Sequence, residues 1–262
     1  FFRKKSSNQK SGGDTIQVAA HKNWYLRVQA KTLELESRAN GTQSPAALIG
    51  SIHGSNNIVV TKQSLIQASP LSKAVLLACI EQWAGVENAA LKQVLKENLP
   101  LEKSIWTLLH QKQLSALWMG ELAATNYTHI LRDSLERIDR TLRFAKKEGQ
   151  LAEAKLYRQL MADSSFKAGE DLLDSSLFSA SLRLLAKDYL HRADYTKANA
   201  LMARLNSYAL DEELIENQSF VAYYTALMPF YIQGKSGLES EMEAEALQPV
   251  MALNHHLGGE AE

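Results

Sequence analysis

From about residue 61 onward, apolar side chains return every three or four positions, the spacing that lines one face of an α-helix. Thr61 is placed to cap a short helix running to Ala68, and Ser69-Pro70 ends that helix and opens the next. In this second helix Ala74, Leu77, Ala78 and Trp83 form the stripe expected to be buried, ending near Gly85. ENAALKQVLKENLP (87–100) reads as another short helix closed by proline, and residues 104–127 as one long helix or two broken ones. Leu131, Leu135, Ile138 and Leu142 then share a face. Gly149 is a natural C-cap there, with a separate helix expected over Leu151 to Asp163. None of these helices is apolar all round, so each must pack on its neighbours in sequence, and the expected fold class is all-α.

Residues 14–60 fit two patterns at once. TIQVAA, WYLRV, TLELES and NIVVT alternate apolar with polar as short strands do, while Trp24, Val28, Lys31 and Leu35 also fall at helical spacing. A small hairpin and a helix both satisfy the pattern. ANGTQSP (39–45) and HGSNN (53–57) are turn-rich breaks. The expected organisation is a basic flexible tether over 1–13, a segment of short strands or helix over 14–60, a helical repeat-like domain over 61–250 and a disordered tail over 251–262.

One stretch carries a recognisable spacing. In LRLLAKDYLHRADYTKANALMARL (182–205), Leu182, Leu185, Ala186 and Tyr189 are followed by Ala198, twelve residues after Ala186, and by Met202. Small residues at Ala186 and Ala198 let two antiparallel helices approach, while Tyr189 and Met202 fill the groove to the next pair. This stretch resembles a tetratricopeptide repeat, with Ala193-Asp194-Tyr195 as the inter-helix turn. Leu182 stands where that family has Trp, and no proline closes the unit near Leu210. A shift by the family's period of about 34 residues brings in Lys155 and Phe220, which do not match. EGQLAEAKLYRQLM (148–161) and SFVAYYTALMPFYIQG (219–234) look like halves of further hairpins out of register. The resemblance implies an irregular, TPR-like helical-hairpin solenoid whose concave face binds a peptide or another protein's helix.

Composition narrows the function classes. With 262 residues the chain can bury roughly 70% of its unfolded surface without disulfides, and 45% hydrophobic with 22% charged residues is the balance of a folded protein. Lys plus Arg equals Asp plus Glu at 29 each, so no global field attracts nucleic acid and no specific nucleic acid is expected as a partner. The single cysteine, Cys79, lies in an apolar run and reads as a small buried hydrophobe. Asn-x-Ser/Thr triplets at Asn40, Asn126 and Asn217 read as chance. No run approaches eighteen apolar residues.

No H-E-x-x-H, Cys pair, G-x-S-x-G or P-loop motif occurs, so no catalytic residue, metal site or cofactor is assigned. His110, His129 and His191 fall at expected helix ends and read as caps, and His255-His256 lies in the tail. Glu170, Asp171 and Asp174 read as acids at a helix N-terminus, and Glu239, Glu241, Glu243 and Glu245 as a solvated acidic helix. Trp83, Trp106 and Trp118 read as core. Tyr223, Tyr224, Phe230 and Tyr231 flank Pro229, which is expected to kink its helix. Two surfaces are left as partner-binding candidates. Arg140, Arg143 and Lys147 sit three and four residues apart on one stripe, interleaved with acids that can also pair along the helix. Tyr189, Tyr195 and Tyr223 border the expected repeat groove.

At the N-terminus Phe1-Phe2 runs into Arg3, Lys4 and Lys5 with no acid before Asp14, the pattern found where a transmembrane helix exits on the cytoplasmic side; a chain cut within a basic tail gives the same pattern. The expected function is a non-enzymatic adaptor or scaffold subunit of a membrane-associated assembly. It would bind other protein subunits or peptide segments and be anchored by a segment outside this chain, with its folded part cytoplasmic; without that anchor the expectation is a soluble cytoplasmic protein. The alternatives are a helical protein that binds RNA or lipid headgroups through the basic stripe, and an enzyme whose site converges only in three dimensions.

Overall fold

The computed structural model describes residues 8–54, 57–126, 129–205 and 212–232. Every regular element among them is a helix: α1 (Asn8–Glu36), α2 (Pro45–Gly54), α3 (Ile58–Gln67), α4 (Lys73–Trp83), α5 (Asn88–Lys96), α6 (Lys103–Gln111), α7 (Ala116–Ala123), α8 (Ile130–Ala162), α9 (Phe166–Asp174), α10 (Ser179–His191), α11 (Tyr195–Leu205) and α12 (Glu212–Ile232). The all-α expectation holds. The chain divides into two compact units, Trp24–Ala145 and, in two stretches, Phe1–Asn23 with Lys146–Glu262.

The short strands allowed for in 14–60 are not present among the described residues, which form α1, α2 and the start of α3. A strand needs a partner for its backbone groups, whereas a helix satisfies them internally, so with no second strand beside it the helical spacing prevails. Val18 and Val28 are buried on one face of α1. The boundary expected at residue 60 falls inside α3. Thr61 does not cap that helix: it is buried within it and its hydroxyl donates to the Asn57 carbonyl (3.2 Å), while the Asn57 side chain accepts from the Val60 N–H (3.3 Å) and is the cap.

In the Trp24–Ala145 unit, α4 is the centre, packed against α2, α5 and α6. It buries Val75, Leu76, Ala78, Cys79, Ile80 and Trp83, a wider face than the expected stripe, and leaves Ala74 exposed. Residues 104–127 break into α6 and α7 around Gln113, whose φ of 53° no helix continues, and Ser115 caps α7 by accepting from the Trp118 N–H (3.2 Å).

Helix α8 does not stop at Gly149. It runs unbroken for 33 residues, and Gly149 is there because the buried Phe178 ring lies against it: a Cβ would sit 2.5 Å from the ring. The glycine makes room instead of ending the helix.

In the other unit α10 packs on α9, α11 and α12, and α11 on α12. Ala186 and Ala198 are fully buried, as close helix approach requires, and Tyr189 and Met202 are buried with them. The turn between α10 and α11 is built at Ala193, in the left-handed region at φ 59°, followed by Asp194. The Asp194 backbone N–H donates to the Tyr189 carbonyl (2.8 Å), and its carboxylate accepts from the Lys197 N–H (3.3 Å). Glu170 and Asp174 are not at a helix N-terminus: they stand at the middle and the end of α9 and pair with Arg192 (2.7 Å) and Arg204 (2.5 Å). Tertiary ion pairing, not the helix dipole, accounts for these two acids.

Candidate functional site

The turns beside α6 and α8 are fixed from inside. Arg132, in the first turn of α8, has no exposed surface. Its guanidinium donates from Nε to the Asn98 carbonyl (3.1 Å), from Nη1 to the Leu71 carbonyl (3.1 Å) and from Nη2 to the buried Glu102 carboxylate. Asn98, also fully buried, accepts from the Leu71 N–H (2.6 Å) and donates to the Val94 carbonyl (2.7 Å) and the Ser69 hydroxyl (3.0 Å). Asn40, at φ 69°, accepts from the Ser72 N–H (2.8 Å) and donates to its hydroxyl (3.0 Å). The Leu71 and Asn98 carbonyls stand in the turns outside the helices, and a guanidinium fork with five donors satisfies both at once.

This network sets Pro100, Leu101, Lys103 and Trp106 opposite Glu136, Arg140 and Arg143 of α8, and the space between them is an open groove of about 530 Å³. Lys103 and Trp106 are three residues apart on α6, while Glu136, Arg140 and Arg143 are four and three apart on α8, so each helix presents one face to the groove. Trp106 is half-buried, with Leu101 buried and Pro100 half-buried beside it. Arg140 donates from Nε to the Glu136 carboxylate (2.5 Å) and Arg143 to that of Asp139 (3.0 Å). Pairs of this i, i+4 kind are worth only about 0.3–0.5 kcal/mol each, so a second carboxylate can compete for either arginine. Three cations and one carboxylate around an apolar floor suit an acidic ligand that also carries an apolar group.

Of the residues singled out in the sequence, Arg140 and Arg143 come together in this groove. Lys147 is exposed one turn further along α8 and does not line it. Tyr189 is buried, its hydroxyl donating to Glu170 (3.1 Å) and its ring covered by Arg192 and Lys197 at 5.1 and 4.9 Å. Burial, reinforced by the Glu170 carboxylate, pushes the Tyr189 hydroxyl up to about 12. Tyr195 donates to the Tyr231 carbonyl (2.7 Å), and the Tyr223 ring meets Tyr224 edge-on at 5.0 Å. Tyr189 and Tyr195 thus each hydrogen-bond to a residue of another helix, Tyr189 to α9 and Tyr195 to α12. Arg3, Lys4, Lys5, the glutamates at 239–245, His255 and His256 lie outside the described residues, as does the Phe230 side chain.

Lys103 and Trp106 were not legible as site residues. Trp106 reads as core alongside Trp83 and Trp118, which are indeed buried, whereas Trp106 is half-buried and lines the groove beside Pro100. Burial pushes the Cys79 thiol up to about 12, in keeping with a packing role. Asn40 and Asn217 are buried and hydrogen-bonded, so neither presents its amide for glycosylation. His129 precedes α8 and accepts from the Leu131 N–H through Nδ1 (3.2 Å), while His110 and His191 sit in the last turns of α6 and α10. Among the described residues no group of three or more His, Cys, Asp or Glu is placed to hold a metal ion, and no helix is long and apolar enough to cross a membrane. Comparison with known proteins finds no matching family model, no matching curated protein and no matching solved structure.

Proposed function

We propose that this chain is a non-enzymatic protein-interaction module, an adaptor or scaffold subunit that grips an acidic segment of a partner protein in the groove beside Trp106. The observation that carries this reading is the joining of Lys103, Arg140 and Arg143 to an apolar floor of Pro100, Leu101 and Trp106. A polyphosphate or lipid headgroup would need only the cations. The tryptophan is the kind of amphipathic anchor that gives protein interfaces most of their binding energy. The proposed architecture of the helices from α9 to α12 is an irregular TPR-like set of hairpins. Supporting it are the buried Ala186 and Ala198 where α10 meets α11, and the Ala193-Asp194 turn between them. The Arg3-Lys4-Lys5 run supports placing the assembly next to a membrane surface.

The test is binding of labelled peptides carrying one Phe or Leu flanked by Asp and Glu, followed by anisotropy, against peptides with Lys in place of the acids. The acidic set should bind, and both Trp106→Ala and Arg143→Glu should weaken it. A chain that instead holds RNA or anionic vesicles with steep salt dependence, and does so equally well after Trp106→Ala, is an anion binder and the adaptor reading is wrong.

A further inference from the structure

The groove beside Trp106 carries a carboxylate of its own, and its three cations are not equivalent. Glu136 is only 9% exposed; its Oε1 accepts from Arg140 Nε (2.5 Å), and its Oε2 takes no hydrogen bond among the described residues. Arg143 is paired with Asp139 (3.0 Å), which does not line the groove. Lys103 is exposed and has no carboxylate partner among the described residues. A ligand acid that takes Arg140 must displace Glu136, and a carboxylate with so little access to water is strongly disfavoured without its cation. That acid would also stand beside the displaced carboxylate, and like charges within about 4–6 Å oppose one another. At Lys103 and Arg143 the ligand meets neither obstacle.

We propose that Glu136 is the specificity-determining residue of this groove: it confines the acidic group of a partner segment to Lys103 and Arg143 and turns polyanions away. The partner of the adaptor function proposed above, on which this assignment rests, is thereby a segment with one acidic side chain beside one apolar side chain. Lys103 and Trp106 stand one turn apart on α6, so the two groups they receive must lie about 5–6 Å apart. Further acids along the segment come against Glu136 and add no affinity. What suits the open Oε2 of Glu136 is a neutral hydrogen-bond donor, such as a backbone or side-chain amide N–H, because a cation there would face Arg140 and Arg143. A phosphate chain, whose charges are closely and evenly spaced, is excluded by the same carboxylate. Selection of this kind works by an unfavourable contact with the wrong ligand as much as by a favourable one with the right ligand.

Anisotropy at about 0.15 M salt tests the proposal with three labelled peptides that share one Phe: one with a single Glu beside it, one with Gln in that place, and one with four Glu around it. The wild-type chain should bind the single-Glu peptide at least about fivefold more tightly than the Gln peptide, and the four-Glu peptide no more than about twofold more tightly than the single-Glu one. Glu136→Gln keeps the side-chain shape and releases Arg140, and it should open a gap of about tenfold or more in favour of the four-Glu peptide. Lys103→Gln, at an exposed position, should erase the preference for Glu over Gln. Should Glu136→Gln not fold, the wild-type comparison and the Lys103 variant still decide. A four-Glu peptide that already binds the wild-type chain about tenfold better than the single-Glu one, or no widening of the gap in Glu136→Gln, overturns the proposal while the adaptor reading stands. A Glu preference that survives Lys103→Gln overturns the place given to the acid. Failure of the wild-type chain to bind either acidic peptide overturns both readings.

Discussion

Arg132 and Glu102 form an ion pair with almost no contact with solvent, and Arg132 spends its other donors on the carbonyls of Leu71 and Asn98. The groove depends on this pair, because it ties the turn that carries Pro100 and Leu101 to the helix that carries Arg140 and Arg143. Removing one partner strands a buried charge. Arg132→Ala is therefore expected to lower stability by about 3–5 kcal/mol in urea unfolding. Arg132→Lys, which keeps the charge but not the planar fork, should cost about 1–3 kcal/mol. A loss below about 1 kcal/mol for the alanine variant would show that water reaches the site.

Glu36 lies beside this network and gives a pH dependence of definite sign. Burial raises its carboxyl above the usual range and the nearby Glu102 adds to that, while the Lys73 N–H and the Arg132 charge act against it without cancelling it. The folded state thus holds the Glu36 proton more tightly than the unfolded one. Stability from this group is present at low pH and is lost as pH rises from the unfolded value of 4.5 through the higher folded one. Glu36→Gln should remove that slope, so the difference in unfolding free energy, variant minus wild type, should grow with pH across this window. A difference that shrinks with pH would contradict the assignment.

Gly149 is held to glycine by Phe178. Gly149→Ala is expected to cost about 1–3 kcal/mol, the usual penalty for overpacking, although alanine is the better helix former. Pairing it with Phe178→Leu should recover part of that loss, which a double-mutant cycle in denaturant would measure. If Gly149→Ala stabilises the protein, helix propensity decides this position and the close contact does not.

In the groove, the tryptophan and the arginines should affect binding differently. Trp106→Ala should weaken an acidic peptide by about 2 kcal/mol, chiefly through faster dissociation. Arg140→Gln sits at the exposed rim and should chiefly slow association and flatten the salt dependence. Stopped-flow kinetics at two ionic strengths separates the two; identical effects on both rates would mean the floor and the rim are not one site.

Periodicity established that the chain beyond about residue 60 is helical, because a run of apolar residues every three or four positions buries one face only as a helix, whereas over residues 14–60 it fitted strand and helix alike and the tertiary structure decided for helix. It also located the Arg140 and Arg143 stripe and the buried positions Ala186 and Ala198 of the packed helices α10 and α11, since both depend on spacing within at most two neighbouring helices. What spacing could not decide was anything set by a distant residue. Gly149 reads as a helix end until Phe178 is seen lying on it, and Glu170 and Asp174 of α9 read as dipole partners until Arg192, just beyond the end of α10, and Arg204 of α11 pair with them. Arg132 looks like one more surface charge, and is buried only because Leu71, Asn98 and Glu102 converge on it from up to 61 residues away. Local periodicity is written in each segment; the partners of a buried charge or a close-packed glycine are chosen by the tertiary fold.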